Sequence, residues 1–155
     1  GHSLAKASFF LTSGNILETY GTKRIKSVSG ITKADGTTGW LWVLSFLAIC
    51  AFPTSVLFIS EFIMIKTMIL QGHYLLCALF VILLTIVLYG LGKVVIKMAF
   101  GNLGEEKAKL IEQNKHIVSA FMYIPQIIML LIVFVLGVYI PPFLNDIISC
   151  TIAGF

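Results

Sequence analysis

Four apolar tracts separated by polar connectors organise the chain, and their lengths are those of membrane-crossing helices. The first covers residues 2–20, which at roughly 1.5 Å per residue just crosses a hydrocarbon layer of about 30 Å. The second, residues 40–70, is too long for one straight span and would reach roughly 46 Å unbroken. Near its middle stands Phe52-Pro53-Thr54-Ser55. Proline lacks a backbone donor and clashes with the preceding turn, so Pro53 predicts a break near residues 52–55 and two half-helices, 40–51 and 55–70. A turn at Gln71-Gly72-His73 leads to a third span over residues 74–95. The fourth covers residues 117–140, with Pro125 as an expected kink. Residues 141–155, opened by Pro141-Pro142 and carrying Asp146, read as an interfacial tail. The pattern predicts an all-α integral membrane protein of about four transmembrane helices, the second discontinuous at Pro53.

Composition agrees with a lipid environment. Apolar residues make up 58% of the 155 and charged residues 12%, about half the charged share of a soluble domain. Mean hydropathy is +0.98. The net charge of +4 comes from eleven Lys and Arg against seven Asp and Glu. The basic residues concentrate in two connectors, so they report orientation and argue against nucleic-acid binding. One connector, residues 21–39, carries Lys23, Arg24, Lys26 and Lys33 against Asp35. The other, residues 96–116, carries Lys97, Glu105, Glu106, Lys107, Lys109, Glu112 and Lys115. With both basic connectors facing the cytoplasm, the expected location is the inner (cytoplasmic) membrane, multi-pass, with the C-terminus outside. Cys50, Cys77 and Cys150 fit no metal spacing. No secretory signal is visible, and the absence of an initiator Met reads as a fragment lacking upstream helices.

Three charged residues interrupt the apolar tracts. A charge at the bilayer centre costs at least about 2.5–3.5 kcal/mol, so each requires a reason. Lys6 follows His2 by one turn, and His2, Lys6 and Ser13 fall within about 40° on a helix, forming one polar stripe. Such a stripe suits proton transfer between titratable groups; equally, Lys6 could snorkel or pair with a carboxylate to fix packing. Glu61 is the only charged residue between Asp35 and Lys66, about two turns beyond Pro53. A carboxylate beside a helix break can exchange protons with waters held at unpaired backbone groups, or can serve as a fixed ion-pair partner. Lys66 lies nearer a helix end, where snorkelling accounts for it. Ser8, Thr12, Asn15 and Thr85 are expected to make interhelical hydrogen bonds.

Two blocks carry a family resemblance. The string from His2 to Ile16 resembles the H-x-x-x-K-x-x-x-F-x-x-x-G-x-I segment of antiporter-like membrane subunits. That family includes proton-pumping subunits of complex I, Mrp-type antiporters and membrane-bound hydrogenases. Ala51-Phe52-Pro53-Thr54-Ser55, followed by Phe58-Ile59-Ser60-Glu61, resembles the family's broken helix, usually G-x-P-P-x-x-x-F-x-S-(E/K). Thr54 departs from it where many members have a second proline. Gly14-Asn15-Ile16-Leu17, Tyr20-Gly21-Thr22 and Ser60-Glu61-Phe62 are most similar to the F-type membrane protein of hydrogenase-4 or formate hydrogenlyase.

The resemblance implies a non-redox, proton-translocating subunit of a hydrogenase or complex I-like assembly. His2 and Lys6 would belong to a central polar axis and Glu61 to an ion-exit position at the broken helix. Other membrane subunits and the bilayer would be its partners, and no cofactor of its own is implied; no Cys spacing suits a cluster. Two alternatives stand beside this: a subunit of an Mrp-type Na⁺/H⁺ antiporter, and a structural membrane anchor whose charges only bind neighbours.

Overall fold

The computed structural model describes residues 1–104, 108–109, 111 and 119–142. Every regular element among them is helical: α1 (His2–Tyr20), α2 (Ile31–Ala34), α3 (Gly36–Ile49), α4 (Val56–Leu70), α5 (Tyr74–Phe100) and α6 (Ile124–Val138). Short 3₁₀ turns occur at Ile25–Ser27 and Ala120–Met122. Glu105, Glu106, Lys107, Glu112, Lys115 and the tail with Asp146 lie outside the described residues.

Helix α1 buries its polar side. The buried face comprises Ala5, Ser8, Thr12, Asn15, Ile16 and Thr19, spaced by three or four and therefore on one side of the helix. Phe10, by contrast, is 72% exposed. A helix in water does the reverse. In lipid the outer face gains nothing by hiding, and helices associate through small residues and buried hydroxyls. The same logic runs through the contact of α1 with α3 and α6. Ala5 meets Ala48, Leu41, Leu130 and Val133 in one cluster, and Ser8 faces Ser45 at 2.9 Å between the hydroxyl oxygens.

Helix α3 is the centre of the arrangement, touching α1, α2, α5 and α6, whereas α4 lies against α5 and α6. Helix α5 alone, at 27 residues, is long and apolar enough to cross a membrane unaided among the described residues. Helices α3 and α6 are shorter apolar helices. The difference from four full spans has physical reasons. The polar face of α1 dilutes its hydropathy, and the second tract is divided between α3 and α4. Within the fourth tract a 3₁₀ turn at Ala120–Met122 precedes α6, which starts at Ile124. Pro125 therefore falls in the first turn of α6. There its missing N–H removes no helical hydrogen bond, so it starts the helix and does not kink it.

The connector over residues 21–39 is more ordered than its polarity suggests. Val28 and Ile31 are buried with Ile16, Trp42, Val95, Met98 and Ala99. The Thr32 hydroxyl donates to the Ala99 carbonyl at 2.8 Å, and the Ser29 hydroxyl to the Asn102 carbonyl at 2.8 Å. These bonds strap the end of α5 to α2 and to the residues just before it. Helix α3 begins at Gly36, one turn before the first apolar residue, because Asp35 caps it: its carboxylate accepts from the Thr37 N–H at 3.0 Å.

Candidate functional site

The interruption between α3 and α4 is built from three local devices. Ala51 takes the left-handed conformation, φ 51°. Its neighbour Phe52 folds back so that its N–H donates to the Leu47 carbonyl at 3.1 Å, closing the helix end in the manner glycine usually permits. Pro53 then prevents continuation, and Ser55 restarts the chain as the cap of α4, accepting from the Phe58 N–H at 3.4 Å. The Ser55 N–H donates to the Phe52 carbonyl at 2.7 Å. Several backbone groups of the break are thus satisfied internally, fewer being left for ions than a simple fracture would offer.

Ala51 occupies the position where the broken-helix pattern has glycine. A left-handed residue bearing a Cβ costs roughly 1–2 kcal/mol, of which glycine's freedom in the unfolded chain returns up to about 1 kcal/mol. Ala51→Gly is therefore expected to raise stability by up to about 1 kcal/mol. Denaturation of the full-length protein in detergent should show the gain; a loss would mean the left-handed turn is not formed.

Glu61 projects into the groove between the end of α3 and α5. It is half-buried and lines a small cavity of about 40 Å³ with Ile49, Cys50, Leu84, Val87, Leu88 and Leu91. That volume exceeds the roughly 10–15 Å³ that one water requires. The carboxylate and the Cys50 thiol supply polar partners in an otherwise apolar wall. No ion-pair partner of Glu61 occurs among the described residues.

Lys6 and His2 stand elsewhere. Both are exposed on a face of α1 to one side of its buried seam, as is Ser13. The structure keeps the three on one face and does not bring Lys6 into the cavity of Glu61. The start of α1 does reach the restart of the broken helix, where Gly1 packs against the Val56 side chain. Lys66 is exposed, and Thr85 bonds back to the Val81 carbonyl within its own helix.

Sequence reasoning overlooked two residues of the buried seam. Gln126, fully buried, presents its amide oxygen 3.0 Å from the Thr12 hydroxyl and donates from its amide nitrogen to the Met122 carbonyl at 3.0 Å. The Thr12 hydroxyl, with one proton, also stands 2.8 Å from the Ser8 carbonyl. Ser45 pairs with Ser8 on the α3 side. Ser8 and Thr12 thus make the interhelical contacts expected of them, whereas the amide nitrogen of Asn15 is buried without a partner among the described residues. The signal for Gln126 was available: it is the lone polar side chain within the helix α6 sequence.

A family model described as NADH:quinone oxidoreductase/Mrp antiporter, transmembrane, matches residues 1–87. That stretch contains α1, the break, α4 and the first half of α5. The chain belongs to this family. Its members are proton-translocating membrane subunits of the NADH:quinone oxidoreductase, Mrp and hydrogenase type. A hydrogenase-4 component F homolog from Methylacidiphilum infernorum (isolate V4) is 33% identical over 141 residues, 91% of this chain. The chain spans 28% of that relative's length. His2, Lys6, Pro53 and Glu61 all lie inside the family match, while Gln126 lies beyond it.

Proposed function

We propose that this chain forms part of the proton-conducting membrane subunit of a redox-driven hydrogenase or complex I-like assembly, with Glu61 as a proton carrier at the broken helix. The observation that carries the reading is the placement of Glu61. A half-buried carboxylate without an ion-pair partner among the described residues shares a water-sized cavity with Cys50, at the end of the interrupted α3. A permanent ion pair would hold one charge state; an unpaired carboxylate in an apolar wall can change between neutral and charged as nearby charge changes. Lys6 and His2 form the second station, on an exposed face of α1 suited to meeting a further helix of the same assembly. Driving force would come from redox chemistry in partner subunits.

Glu61→Gln keeps the side-chain volume and removes the exchangeable proton. In membrane vesicles bearing the assembled complex, it is expected to lower electron-driven proton translocation by about tenfold or more, with assembly unchanged. Full pumping at normal expression would remove Glu61 from the mechanism. Lys6→Met is expected to lower translocation likewise, whereas a snorkelling Lys6 would leave it intact. Sodium-dependent proton exchange in vesicles given no electron donor would instead favour a Na⁺/H⁺ antiporter.

A further inference from the structure

A second cavity, of about 390 Å³, lies between α1 and the last turns of α5 and shares only Leu91 with the wall around Glu61. Its walls include Phe9, Gly14 and Leu17 of α1, Trp42 of α3, and Val94 and Met98 of α5. The volume is that of a small-ligand pocket, typically about 300–1,000 Å³. Trp42 stacks on Phe9 with ring centroids 4.0 Å apart, and its indole N–H is buried without a partner among the described residues. At the rim stand Lys23 and Ile25, both exposed. Arg24 and Lys26 continue the basic stretch, which Glu18 and Asp35 bracket in sequence.

We infer that this cavity takes one acyl chain of an anionic glycerophospholipid from the surrounding bilayer, with the phosphate held at Lys23 and its basic neighbours. The two halves of the site match the two halves of such a lipid. An apolar slot accepts the hydrocarbon, and Lys23 at its mouth, within a basic stretch of chain, attracts the headgroup. A detergent tail or a zwitterionic lipid satisfies only the apolar half. Ser13 of the α1 stripe lines the cavity but His2, Lys6 and Glu61 do not, so the inference stands or falls apart from the proton path.

The test uses the full-length subunit in its complex, reconstituted with phosphatidylglycerol or phosphatidylcholine and returned to detergent, with retained lipid counted by native mass spectrometry. Gly14 lines the cavity, and a Cβ there meets open space, so Gly14→Trp is chosen to occupy the slot. Lys23→Glu alters only the rim. Wild type is expected to retain one more phosphatidylglycerol than Gly14→Trp, and at least fivefold more than Lys23→Glu. Phosphatidylcholine should be retained poorly by all three. Equal retention of the two lipids by the wild type would overturn the proposal, as would phosphatidylglycerol retention unaffected by Lys23→Glu. Should Gly14→Trp impair assembly, the Lys23→Glu comparison alone decides.

Discussion

Gly137→Ala is expected to destabilise the protein by about 1–3 kcal/mol, a large effect for one methyl group. A Cβ at this position would meet the Thr54 carbonyl oxygen and come within 2.6 Å of the Ser55 carbonyl carbon and 2.7 Å of the Val56 nitrogen. All three are backbone atoms of the restart of α4, so none can swing aside as a side-chain tip would. Alanine's better helix propensity, worth up to about 1 kcal/mol in water, offsets little where the unfolded reference in lipid already keeps its helices. The clash wins. Helix α6 must then retreat from the break, which shifts Ser55 and, through α4, Glu61. Denaturation of the full-length protein in detergent should show the loss, and proton translocation should fall with it. Unchanged stability would mean that α6 does not seat on the break.

Asp35→Ala should cost roughly 2–3 kcal/mol by summing a lost helix cap and an orphaned tyrosine. The Asp35 carboxylate receives three donors: the Thr37 N–H at 3.0 Å, the Thr38 hydroxyl, and the Tyr123 hydroxyl at 2.7 Å. Two of them belong to the start of α3, and the third comes from the residue just before α6. One side chain therefore ties the beginnings of two helices distant in sequence. Tyr123→Phe removes only the last bond and should cost about 1 kcal/mol. If Asp35 and Tyr123 act through that bond, the double substitution will be less harmful than the sum of the two by at least about 0.5 kcal/mol. Strict additivity would sink the account.

The broken helix could be read from residues because its cause is local. Pro53 has no N–H, so the interruption between Ile49 and Val56 follows whatever surrounds it. The left-handed Ala51 could not be read in the same way, since nothing in alanine favours that conformation and the surrounding chain imposes it. Hydropathy misplaces the start of α3 at Trp40, although Asp35-Gly36-Thr37-Thr38 carries a capping signal that places it at Gly36. The neighbours of Glu61 depend on tertiary structure. The turn at Gln71–His73 folds α5 back along α4, and only that pairing sets Leu84 and Leu88 beside the carboxylate. Gln126 escapes a search confined to ionisable groups, yet a lone amide in an apolar tract faces the same desolvation problem. For His2 and Lys6 the shared face was evident from spacing, and both are exposed on it.

Helix α5 has one further mechanical consequence. Its buried residues, Gly92, Val95, Met98 and Ala99, all lie towards one end, while Leu75 near the other end is 86% exposed. Between them, its contact with α4 includes the wall of the Glu61 cavity at Leu84 and Leu88. Such a rod acts as a stiff lever, pivoting near residue 97 and loaded part-way along. Leu84 lies about 20 Å from the pivot and Tyr74 about 34 Å, at 1.5 Å per residue. A sideways displacement at the cavity is therefore delivered to the far tip magnified by roughly 1.8-fold, the ratio of those two arms.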